Sequence, residues 1–162
     1  MSAIALSRRL RVVIASVIVA FAAPAIAGPL TVTTHMLVEK RIAAADGTTR
    51  VQLIEPKNVV PGDRVVVVLA YRNTGSQPIA DLVLANPVPK GLTYRSAAKG
   101  TPTPDVSVDG RNYGTLAALR VAMPSGAMRP AGLDDVTQVR WRLASPIAAG
   151  GRGELAFQAV LK

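Results

Sequence analysis

The chain has 162 residues, no cysteine, one histidine and a formal net charge of +9 at neutral pH. That length allows one domain with a core of its own. The lack of cysteine excludes disulfide staples and thiolate metal sites, and a single histidine excludes a metal site with two histidine ligands.

Arg8, Arg9 and Arg11 precede the apolar run Val12–Ala23, Pro24 breaks that run, and Ala25-Ile26-Ala27 has the small-x-small form that signal peptidase cuts. The apolar stretch to Ala27 is about 16 residues, short of the ~20 that cross a bilayer. Residues 1–27 therefore read as a signal peptide cleaved after Ala27. The product is a periplasmic or secreted protein with no stable membrane span. Without the three leader arginines, sixteen basic residues stand against ten acidic ones, a net charge of +6. Most arginines, such as Arg64, Arg72, Arg140 and Arg142, alternate with apolar residues, as on the solvated face of half-buried strands. The positive balance favours an anionic envelope partner, whereas export and the scarcity of aromatics to stack on bases argue against nucleic acid.

Leu30–Arg41 and Thr48–Glu55 are rich in β-branched residues and predict two strands joined at Asp46-Gly47. They form an N-terminal hairpin extension, residues 28–56, packed on a main domain of residues 57–162. Pro56, Pro61 and Gly62 punctuate the approach to Asp63–Arg72. There Val65, Val67, Leu69 and Tyr71 form an inward column, and the near-continuous apolar run predicts a central strand covered in part on its second face. Asn73-Thr74-Gly75-Ser76 is a turn. Asp81–Pro87 follows with Leu82 and Leu84 inward, and Leu92–Ala97 is a short strand after Gly91. Residues 98–135 are broken by glycine and proline, with short strands expected near Asp105–Val108 and Thr115–Met123. Val136–Leu143 places Val139, Trp141 and Leu143 inward and Arg140 and Arg142 outward. After the turn 146–151, Gly153–Leu161 closes the domain with Leu155, Phe157, Ala159 and Leu161 inward. No helical period survives after the leader, so the fold class is all-β.

The combination of Pro61-Gly62-Asp63, the strand with Val65 and Leu69, Asn73-Thr74-Gly75, Pro89-x-Gly91-Leu92-Thr93-Tyr94, Trp141, Leu143, Gly150, Leu155 and Phe157 resembles the bacterial conserved-repeat domain, domain of unknown function family eleven. The resemblance runs from about residue 57 to the C-terminus. It implies an immunoglobulin-like antiparallel β-sandwich of about seven to nine strands in a surface or secreted protein. It brings no catalytic residues with it. One copy is visible here, with the hairpin added before it, where the family often has tandem copies. The matched residues also have physical jobs. Gly62 and Gly75 suit turns with positive φ, Gly91 restarts a strand, Asp63 and Asn73 can bond backbone groups at loop ends, and Trp141 fills a core.

Catalytic chemistry finds little footing. His35 reads as a strand-surface residue. Ser76, Ser96, Ser107, Ser125 and Ser145 lack the context of a nucleophile elbow. Asp134-Asp135, with Asp105 or Asp109, is the one grouping that suggests calcium, and its spacing matches no calcium loop. No glycine-rich stretch has the order of a phosphate cradle. The expectation is a non-enzyme with no cofactor and no metal. Arg120, Met123, Met128 and Arg129 stand in the irregular segment as candidate partner contacts, because methionines beside arginines make an adaptable surface. The function expected is a monomeric exported module that touches protein or anionic glycan in the cell envelope. The alternative is a periplasmic assembly or chaperone-like factor that binds partners by β-strand addition.

Overall fold

The computed structural model describes residues 29–44 and 47–162. The expected signal peptide, residues 1–27, and Asp46 of the hairpin turn lie outside the described residues. The strands are β1 (Leu30–Ala43), β2 (Thr49–Ile54), β3 (Arg64–Asn73), β4 (Val83–Pro87), β5 (Leu92–Ala97), β6 (Asp105–Ser107), β7 (Arg120–Ala122), β8 (Met128–Pro130), β9 (Gln138–Arg142) and β10 (Arg152–Leu161). Single 3-10 turns lie at Leu116–Ala118 and Leu133–Asp135. The fold is all-β. Every ladder is antiparallel, in a five-stranded sheet β2-β1-β3-β10-β5, a three-stranded sheet β4-β9-β6 and the hairpin β7-β8.

β3 is central because its sequence has no polar face over its middle. Val65, Val67 and Leu69 are buried in the main cluster, and Val66 and Val68, which point the other way, are buried too. In the ladders Val66 lies between Leu37 and Gln158, and Val68 between His35 and Ala156, so neighbouring side chains shield the second face. Tyr71, at the end of the column, is half-buried. From β10 come Leu155, Phe157 and Ala159; from β4 and β9 come Leu84, Val139 and Trp141; all join one buried cluster with the β3 column. The Phe157 and Tyr94 rings lie 5.9 Å apart in a tilted pair. Trp141 is 3% exposed, and its Nε1–H donates to the Pro102 carbonyl at 2.8 Å. The indole therefore fills the core without stranding its polar group.

Several expectations change. The N-terminal hairpin forms, and its first strand is also hydrogen-bonded into the sheet of the domain. Leu30–Val38 pairs along β3, and only Val38–Ala43 pairs with β2. The alternation of Met36 and Val38 matches the inward column of β3, which draws β1 into the sheet. In the segment 98–135, Asp105–Ser107 is a short strand as expected, and the short strand expected near Thr115–Met123 is three-residue β7, preceded by a 3-10 turn, with the unforeseen β8 beside it. Gly62 takes φ +94 and Gly91 φ +91, the left-handed region expected for turn glycines. Gly75 is not among the positive-φ residues. Its constraint is space: a Cβ there would sit 2.5 Å from the Pro29 Cβ. The Val60 N–H donates to Asp63 Oδ2 at 3.0 Å, so Asp63 fixes the loop before β3.

Candidate contact surface

The four candidate contact residues fall on one small hairpin, but they do different things. β7 and β8 pair through Arg120 with Pro130, Val121 with Arg129 and Ala122 with Met128. The turn closes by Met123 N–H to the Ala127 carbonyl and Gly126 N–H to the Met123 carbonyl, each at 2.8 Å. Gly126 at φ +82 makes that reversal without a Cβ penalty. Alternation then turns Val121 and Arg129 toward the body and leaves Ala122 and Met128 outward. Met128 is 60% exposed and Met123 43%.

The arginines brace the hairpin. Arg129 holds both carboxylate oxygens of Asp135 at 2.6 Å, a bidentate pair. Asp135 also accepts from the Gly132 N–H at 2.7 Å. The Arg129 bonds first, and then the Gly132 bond, pull the Asp135 carboxyl down to about 2. Arg120 donates from Nη1 to the carbonyls of Ala117 at 2.8 Å and Leu119 at 2.9 Å, tying β7 to the 3-10 turn before it. Arg120 stays exposed while making these bonds, and the Arg129 side chain is 43% exposed beside Asp135. The exposed large apolar side chains of the hairpin are Met123 and Met128.

Beside the hairpin runs a loop at 107–114 built around Asp109. Its carboxylate accepts from the backbone N–H of Asn112 at 2.8 Å and of Arg111 at 2.9 Å, and from the Asn112 side chain at 2.7 Å. The Asn112 and Arg111 amides hold the carboxyl far below the usual carboxylate range. Buried Ser107 donates to Asp109 and accepts from the Gly110 N–H. Between loop and hairpin lies a cleft of about 340 Å³, lined by Arg120, Val121 and Met128 from the hairpin and by Val108, Asp109 and Asp135 from the body. Arg140 points outward from β9 as expected, and there it stacks 4.1 Å over the Tyr113 ring and reaches Asp105 at 3.2 Å. The acids considered for calcium thus have separate partners, Asp135 with Arg129, Asp105 with Arg140 and Asp109 with its own loop. Among the described residues no three His, Cys, Asp or Glu side chains are grouped to hold a metal ion.

His35 lies exposed in β1, and among the described residues no helix is long and apolar enough to cross a membrane. No family model, curated protein or solved structure matches the chain. The sequence could have revealed the Arg129–Asp135 latch only through Gly132-Leu-Asp-Asp135, an acid three residues after a glycine, which is the spacing of a capped turn.

Proposed function

We propose that this chain is an exported, non-enzymatic module with the immunoglobulin-like β-sandwich architecture of the conserved-repeat domains it resembles, and that it contacts a partner protein in the cell envelope through the β7-β8 hairpin. Two antiparallel sheets that share one buried cluster around Trp141 support the sandwich reading. One observation carries the contact reading: two exposed methionines are held on a hairpin that Arg120 and Arg129 brace through bonds to the neighbouring turns. Such a surface is apolar, adaptable and pre-positioned, the combination that lowers the ordering cost of association. Envelope extract passed over the immobilised chain tests it. A Met123→Ser/Met128→Ser variant should keep its melting temperature and lose its captured partner. A folded double variant that retains every captured protein removes the hairpin from the contact.

A second reading has its own observation. β2 is an edge strand of the five-stranded sheet, and Val51 and Leu53 on it are exposed. An unpaired edge is a template for strand addition by a partner. Loss of the partner in Val51→Lys/Leu53→Lys, with the methionine variant still binding, would favour the assembly or chaperone-like role.

A further inference from the structure

The outer face of the five-stranded sheet ends in a row of outward residues that folding alone does not account for. Arg72 of β3 lies directly opposite Thr31 of β1 on one side and Arg152 of β10 on the other. Two arginines facing each other across a ladder repel, and like charges in that position destabilise a sheet. Both are exposed, and among the described residues neither side chain makes a hydrogen bond or an ion pair. The next row inward is Thr33, Ala70 and Glu154. Ala70 is too small to fill the space between its neighbours, and a depression of about 420 Å³ opens over it, lined by both threonines, both arginines and Glu154.

These features give the depression two unlike ends. The arginine end brings two cationic side chains to one face on facing strands, a charge arrangement that suits a carboxylate, which would relieve the repulsion between them. The other end offers the Glu154 carboxylate as an acceptor and the Thr33 hydroxyl as donor or acceptor. A fitting ligand needs an acid at one end and several hydroxyl donors at the other. The volume suits a single sugar unit. No slot of large aliphatic side chains lines the depression for an acyl chain, and Glu154 opposes a multiply charged phosphate. We propose that this sheet end is a binding site for a uronic-acid unit of an anionic glycan, with its carboxylate on Arg72 and Arg152 and its hydroxyls on Glu154 and Thr33. The site does not depend on the contact reading of the hairpin.

Calorimetric or NMR titration of the purified chain tests the site with three probes: an oligogalacturonate, a neutral oligogalactose of equal length and inorganic phosphate. The oligogalacturonate should bind, more weakly as salt rises, and the neutral oligosaccharide should not. Arg72→Gln/Arg152→Gln should weaken oligogalacturonate binding by about tenfold or more. It should fold at least as stably as the parent, since it removes a repulsion. Glu154→Gln should weaken the sugar and strengthen phosphate. The Met123→Ser/Met128→Ser variant should bind the sugar unchanged, which separates this site from the hairpin. Absence of oligogalacturonate binding, equal binding of the neutral oligosaccharide, tighter binding of phosphate by the parent chain, or full affinity in the double arginine variant would each overturn the proposal.

Discussion

Asn73 is fully buried at the end of β3 and ties two loops together. Its Nδ2 group donates to the carbonyls of Gln77 at 2.8 Å, Ile147 at 3.0 Å and Ala148 at 3.1 Å, and its Oδ1 accepts from the Gly75 N–H at 2.9 Å. Three carbonyls around one nitrogen leave no choice of amide orientation. Asn73→Ala would strand these groups and should cost about 3 kcal/mol. Asn73→Asp should be worse at pH 7, because it sets a carboxylate against carbonyl oxygens. Its pKa in the folded state would then be raised, so the variant should recover relative to the parent as pH falls and the protonated acid regains a donor. Urea midpoints at pH 7 and pH 4 check both substitutions; a variant deficit that does not shrink at pH 4 would argue against the assigned contacts. Trp141→Ala should cost about 3–5 kcal/mol, whereas exposed Arg142→Ala should stay within about 0.5 kcal/mol. Arg140→Ala, with its stacked ring and ion pair, should fall between them. Equal midpoints for the Trp141 and Arg142 variants would contradict the inward column of β9.

At the scale of elements, β7-β8 depends on a latch with a definite acid response. The folded Asp135 carboxyl at about 2 lies below the value of an unfolded aspartate, so the pair's contribution is full above about pH 4 and disappears as pH falls through about 2. The Met128 methyl shift and the exchange of the Met123 and Ala131 amides, followed from pH 5 to pH 2, should report the hairpin loosening over that window. Asp135→Asn should loosen it at every pH and flatten the profile. A parent hairpin that stays closed at pH 2 would mean that the backbone ladder suffices. The longer strands were legible in the sequence because each carries a clear burial pattern: β3, β5 and β10 lie within a residue or two of their expected bounds. β7 and β8 were not, since three residues cannot show a period. What joins them is a turn at Met123–Gly126 and a charge pair formed after the chain has folded. Of the candidate contact surface, the methionines and arginines of the hairpin were legible in the sequence, but the bonds of Arg120 to its preceding turn and of Arg129 to Asp135 required geometry.

For the whole molecule, β1 is the test of where the domain begins. It contributes Val38 to the buried cluster, pairs with β3 from Leu30 to Val38, and reaches the other sheet through Thr34, whose hydroxyl donates to Asn86 Oδ1 at 3.0 Å. A chain of residues 57–162 would leave the β3 ladder open on one side and should show no cooperative thermal transition; a sharp transition in that fragment would restore the hairpin as a separable extension. The central functional claim, that the hairpin is the contact surface, is tested most directly by a photo-crosslinking amino acid placed in turn at Met128, Val51 and Arg72 in cells producing the full chain. The expected result is a discrete protein adduct from position 128 and none from position 51. A protein adduct from position 51 with none from position 128 would contradict the hairpin and leave the sheet edge as the contact surface.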